Sequence, residues 1–229
     1  MKKAIVIFFL SVLLLATVMA ASDRPFFTPA KLEMVEFIRY NDGSVEVKRS
    51  DVFKKPDGVG KPPKDNDKEP ECYTFLAGAK PRWQWQEGYV YNDAYLGDST
   101  AWATSVWNTG ADYAIFGSGV SGDYPWGVYD YVNMITYEDY PDGNVIGATR
   151  IWYQGKKIYE YDVLYDTDYF YPGSSYDLDT VVLHEMGHAA GLGDVYEDAC
   201  VDVVMHGIYQ GYPKLELAEP DLTGINRLY

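Results

Sequence analysis

Two histidines four residues apart, His184 and His188, enclose Glu185 in the stretch His184-Glu185-Met186-Gly187-His188. On a helix that spacing projects both imidazoles from one face, where they can share a metal ion, and zinc is the usual occupant of such a pair. Glu185 is rotated off the histidine face. From there it is badly placed to ligate the same ion but well placed to reach a water beside it. Two neutral ligands, an open coordination position and a carboxylate that takes a proton from water are what a metal-dependent hydrolase needs. A bare pair of this kind also arises by chance in proteins that hold no metal. Three features weigh against chance. The chain has 3 histidines, and all lie between positions 184 and 206. Gly191, three residues after His188, accepts the left-handed conformation that stops a helix and turns the chain back. That turn delivers Asp194, six residues after His188, as a candidate third ligand.

With these residues in view, the pattern of two histidines, Gly191 and a further metal ligand resembles the metzincin zinc peptidases. Most of them have a third histidine where this chain has Asp194, and an aspartate stands there in some metzincin-like families. Val203-Val204-Met205-His206-Gly207 resembles their Met-turn, with Met205 as the methionine. Residues 217–229, ending Leu228-Tyr229, look like the last helix of the matrixin branch. The similarity spans residues 73–229 and is of the secreted, prokaryotic, matrixin-like kind.

The resemblance implies an α+β fold: a mixed twisted sheet with an antiparallel edge strand, an active-site helix and a C-terminal helix. It implies one catalytic zinc held by His184, His188 and Asp194, Glu185 as general base, and Met205 as scaffold beneath the ion. It also implies an edge strand above the site, here Val145 to Trp152, with Ile146, Gly147, Ala148 and Thr149 facing an extended peptide. Tyr209 is a candidate oxyanion contact, although it lies four residues beyond the methionine rather than two. His206 is an alternative ligand to Asp194.

The amino terminus reads as an export signal. Lys2 and Lys3 precede an apolar run to Ala20, and Val18-Met19-Ala20 offers small residues for cleavage. The run is short for a membrane span of about 20 residues, and an uncleaved anchor is the second reading. Stable membrane insertion after cleavage is not expected. The formal net charge of −15 becomes −17 once the two lysines leave with residues 1–20. Such a chain is not expected to bind nucleic acid or an anionic membrane surface by electrostatics. The 2 cysteines, Cys72 and Cys200, suggest one disulfide in an oxidising compartment. The competing reading follows from the resemblance, because some matrixins are kept latent by a propeptide cysteine on zinc. Cys72 lacks the Pro-Arg-Cys-Gly surroundings of that device.

The elements that must position these residues follow from periodicity. Residues 21–53 form an amino-terminal segment, a candidate pro-region, with a helix expected over Thr28–Arg39 and a strand over Ser44–Arg49. Residues 54–70 hold four prolines, many charges and Val59 as the one apolar residue, and read as a linker. Residues 71–229 suit a single domain. Within it, Thr74–Leu76, Trp83–Tyr91 and Tyr113–Phe116 read as extended, and Asp98-Ser99-Thr100 as a cap for a helix over Ala101–Asn108 with Gly110 as its stop. Val145–Tyr153 and Ile158–Tyr165 flank a turn and read as a hairpin. Glu160 and Asp162 are expected on its solvated face, and calcium ligation by Asp162, Asp166 or Asp168 is the sharper alternative. Ser175 or Asp177 caps a metal-bearing helix from Leu178 to about Ala190.

The expected activity is therefore hydrolysis of extended peptide or unfolded protein. Two rivals stand beside it: an exported, non-catalytic binding or cell-surface protein on a degenerate peptidase scaffold, and a zinc hydrolase of a non-peptide substrate. An intact Glu185 speaks against the first, since a site that had lost catalysis could dispense with its base.

Overall fold

A computed structural model describes residues 32–50 and 71–229. The signal segment, 1–20, and the linker, 54–70, lie outside the described residues. The chain runs β1 (Glu33–Tyr40), β2 (Val45–Arg49), β3 (Thr74–Phe75), β4 (Glu87–Tyr91), α1 (Ala94–Gly110), β5 (Phe116–Ser121), β6 (Met134–Glu138), β7 (Val145–Gln154), β8 (Lys157–Asp166), α2 (Leu178–Ala190), β9 (Leu192–Gly193) and α3 (Glu219–Asn226). Seven strands form one sheet in the order β2-β1-β7-β8-β6-β4-β5, and β3 pairs with β9 beside it. From β8 to β5 the strands are parallel, whereas β7 is antiparallel to β8 and to β1. Among the described residues no helix is long and apolar enough to cross a membrane.

The hairpin β7–β8 forms where alternation predicts it, and Gly155 at φ 56° makes its turn. On one face of β8, Tyr161, Val163 and Tyr165 are buried in the main core with residues of α1 and α2. Tyr161 meets Trp83 and Phe116 edge-on, which accounts for part of the high aromatic content. Trp107 of α1 is fully buried and donates its indole N–H to Leu183 O of α2 at 2.8 Å, tying the two helices together. The other face of β8 departs from expectation. Glu160 and Asp162 are buried, not solvated. Asp162 accepts N–H groups of Gly127 and Met134, at 2.7 and 3.0 Å, and Glu160 accepts those of Asp130 and Tyr131. The loop before β6 thus uses the two carboxylates to satisfy backbone donors that burial would otherwise orphan.

Two helix expectations also change. The segment 28–39 was expected to be helical, but Glu33–Tyr40 is a strand, buried on both faces and paired with β2 and β7. Its burial is set by long-range ladders that outweigh local helix spacing. Helix α1 begins at Ala94 rather than Ala101, because Asp93 accepts the Leu96 N–H at 2.9 Å and caps it there. Thr100, expected in the cap, instead lies within the helix and donates its hydroxyl to Leu96 O.

The 71–229 part alone has five strands in this sheet, with β7 as their antiparallel margin. The expectation that this margin is open, with an unpaired row of main-chain groups, is overturned. β1 covers it from Glu33↔Tyr153 to Arg39↔Gly147, with a shift at Tyr40, which faces Val145. Ile146, Gly147, Ala148 and Thr149 therefore lie inside the sheet of this chain.

Candidate active site

Helix α2 carries the first two ligand candidates. Asp177 caps it, accepting the Thr180 N–H at 2.8 Å, and Gly191 ends it at φ 109°. His184 and His188 point from one face, with their Nε2 atoms 3.1 Å apart. Each ring is oriented by its far nitrogen: His184 Nδ1 lies 2.7 Å from Val204 O and His188 Nδ1 3.0 Å from Leu192 O. A neutral ring that donates from Nδ1 keeps its Nε2 lone pair free, as a metal ligand requires. After the Gly191 turn, Asp194 Oδ1 lies 3.1 Å from His184 Nε2 and 3.5 Å from His188 Nε2. Thr74 of β3 donates to Asp194 O at 2.9 Å and fixes this loop.

These three atoms fit zinc. Bonds of about 2.0–2.1 Å at tetrahedral angles place neighbouring ligand atoms about 3.3 Å apart. Asp194 Oδ1 is buried and accepts no hydrogen bond, whereas Oδ2 takes one from the Tyr196 hydroxyl at 3.2 Å. An orphaned carboxylate oxygen facing two imidazole nitrogens is the donor set such an ion satisfies. An oxygen of Glu185 also lies within 4.8 Å of the imidazoles. Its two oxygens are engaged elsewhere, by Thr149 Oγ1 at 2.5 Å and Arg39 Nε at 3.2 Å, whereas Asp194 Oδ1 accepts no hydrogen bond. Burial pushes the Glu185 carboxyl up, but Arg39 and the imidazoles outweigh it and the net direction is down. Burial likewise opposes ionisation of Asp194, and His188 and His184 hold it well below the carboxylate range.

Met205 packs under the histidine helix. A Cβ at Gly187 would sit 2.2 Å from Met205 Sδ and 2.7 Å from Trp107 Cζ2, so the glycine between the two histidines lets the helix settle onto both. The Met205 turn is pinned by Asp221 of α3, which sequence reasoning passed over. Its carboxylate accepts N–H groups of Val204, Met205 and Ala218 at 2.9, 3.2 and 2.9 Å. Nothing local announces this role, because the donors lie up to 17 residues away.

The remaining candidates fall as follows. His206 lines a cavity with His184, its Nδ1 lies 3.2 Å from Ile208 O and its buried Nε2 has no hydrogen-bond partner among the described residues; like Asp194, it lies outside the group formed by His184, Glu185 and His188. Tyr209 accepts the Asp177 N–H at 3.1 Å and, with Thr180, His184 and Lys214, lines a cavity beside the ligands. Asp139, Asp166 and Asp168 gather at one place, but Asp166 already accepts N–H groups of Asp168 and Tyr140. Asp162 is not among them. Cys72 and Cys200 are bonded, with Cα atoms 5.3 Å apart, so neither is free to reach the ligands. Sequence reasoning also missed two neighbours of the site. Phe37 stacks on His188 at 3.9 Å, and Arg39 enters among the ligands.

Among known families, the model for Matrixin (Peptidase_M10) matches residues 84–229, more than half of the chain. No curated protein matches the chain.

Proposed function

For a chain that belongs to the matrixin family of zinc-dependent metallopeptidases, we propose an exported endopeptidase in which His184, His188 and Asp194 hold one zinc ion and Glu185 is the general base. The observation that carries this reading is the triangle of His184 Nε2, His188 Nε2 and Asp194 Oδ1, with edges of 3.1, 3.1 and 3.5 Å. When bound there, zinc supplies a Lewis acid that acidifies water and polarises a carbonyl.

The chain's own residues supply the rest. Val204 O and Leu192 O hold the two imidazoles in the tautomer that offers Nε2. Thr149 donates to Glu185 Oε2 and fixes the carboxylate next to the ligands, where it accepts a proton from water and returns it to the leaving amine. β7 supplies main-chain groups that an extended peptide can pair with once its margin is bare. Export rests on the Lys2-Lys3 and apolar start of the sequence, and the Cys72–Cys200 bond suits an oxidising compartment.

The test combines metal analysis with hydrolysis. Chain cut between residues 51 and 70 should carry about one equivalent of zinc, digest denatured casein, stop with chelator and resume with zinc. Chain that holds zinc yet leaves unfolded protein intact would instead favour a non-peptide substrate or a non-catalytic role.

A further inference from the structure

The surface that an extended substrate needs is already occupied by the chain itself. β1 lies antiparallel along β7, and β2 folds back on β1. Side chains alternate along a strand, so Val35, Phe37 and Arg39 share the face turned to the site, and all three are buried. Phe37 stands opposite Thr149, the residue that holds Glu185, and stacks on the His188 ring at 3.9 Å and 11°. Two residues on, the Arg39 guanidinium reaches the chemistry. Its Nε donates to Glu185 Oε1 at 3.2 Å and its Nη1 to Gly207 O. Its Nη2 meets His184 Nε2 and lies 3.6 Å from Asp194 Oδ1. The hairpin tip is anchored beyond the site, where Tyr176 donates to Asn41 O at 2.9 Å.

We propose that the hairpin of residues 33–49 is an intramolecular inhibitor, docked on β7 as a substrate strand would be and closed over the site by Arg39. This rests on the peptidase reading above and names its regulation. The Arg39 guanidinium is planar and presents its N–H donors as a rigid fork. Its fork engages the base and also faces the two ligand atoms that must turn to the ion, so the hairpin opposes both zinc loading and proton transfer. With Cys72 bonded to Cys200, the cysteine is not available for that task. The 20 residues from 51 to 70 tether the hairpin to the domain. A tether keeps a docked segment at a high effective concentration, and cutting it removes that advantage. The activity of the uncut chain then scales with the small fraction of molecules whose cleft is open.

The experiment uses the full chain with a specific protease site placed between residues 57 and 61. Hydrolysis of an unfolded peptide, zinc uptake from a buffered zinc solution, and amide exchange at residues 146–149 are followed before and after cutting and removal of the fragment. Cutting should raise hydrolysis about ten-fold or more, speed zinc uptake and expose the β7 amides. Added peptide 32–50 should restore latency, the same peptide with Arg39→Ala should do so weakly, and Arg39→Lys should lie between. Uncut Arg39→Ala should show raised hydrolysis, and if it fails to fold the added-peptide series decides. Equal hydrolysis and equal zinc uptake before and after cutting would overturn the inference while leaving the peptidase reading intact. Absence of hydrolysis in every zinc-loaded form would sink the peptidase reading instead. Zinc uptake and amide exchange would still judge the docking in that event: unchanged by peptide 32–50, they overturn it; slowed and protected, they support it.

Discussion

Glu185 and Asp194 both lie beside the two imidazoles and both are buried, yet their surroundings give them different work. Glu185 has each oxygen held by a donor, Thr149 and Arg39, and only the second donor belongs to the removable hairpin. Glu185→Gln keeps the shape and the Thr149 contact but cannot accept a proton. In the cut chain it should retain zinc and lose about 10²–10⁴-fold in hydrolysis. More than about a tenth of the activity remaining would place the base elsewhere. Asp194 has an oxygen with no hydrogen bond facing the imidazoles. Asp194→Ala should therefore weaken zinc binding, read by competition with a chelator, and unchanged affinity would remove it from the ligand set. The same-face histidines were legible in the sequence because four residues along a helix is a local distance. The Asp194 contact was legible only as a spacing, since the loop that carries it is held at its main-chain carbonyl by Thr74, which lies 120 residues away.

At the level of elements, buried carboxylates organise segments that carry no regular structure. Asp221 of α3 ties the Met205 turn to the last helix through three backbone donors. Asp221→Ala leaves those donors without their partner and should cost about 3 kcal/mol, measured by denaturant unfolding, with zinc affinity falling too because the floor of the site loosens. Glu160 holds the loop before β6 against β8. Burial, then the nearby Asp162 charge, push its carboxyl up to about 9, and burial pushes Asp162 up to about 7. Both values lie above the ordinary 4.5 and 3.8. The native state therefore binds more protons than the unfolded chain above those values, and stability falls as pH rises towards 7 and then 9. Glu160→Gln keeps an acceptor for the loop without the ionisation. Its melting temperature should gain on wild type steadily from pH 5 to pH 9, and parallel curves would show that Glu160 does not titrate in this way. The alternation of β8 was readable. That its acids are covered by a loop from elsewhere was not, because an acid beside a turn has the same local pattern whether solvent or backbone N–H groups meet it.

For the whole molecule, the Cys72–Cys200 bond joins the segment before β3 to the segment after β9 across a sequence separation of 128. Cross-linking so long a loop restricts the unfolded chain. Cys72→Ser with Cys200→Ser should lower stability by about 2–5 kcal/mol, while the β7–β8 hairpin, far from it in the chain, should keep its amide protection. A double variant as stable as the parent would leave the bond without a folding role.

Some of this protein was determined by its sequence alone. The histidine helix, the Gly191 stop, the Met205 turn, the β7–β8 hairpin and the family likeness all rest on spacings of a few residues, where backbone geometry makes pattern and structure nearly the same thing. The tertiary structure decided the rest. It made Glu33–Tyr40 a strand where a helix was expected over Thr28–Arg39, buried Glu160 and Asp162, and set Asp221 against the Met205 turn. It also placed Arg39 against Glu185, 146 residues apart. Such pairings depend on which surfaces remain unsatisfied after every other element has docked. A bare sheet margin takes whatever strand reaches it, and no local periodicity records that this chain carries its own.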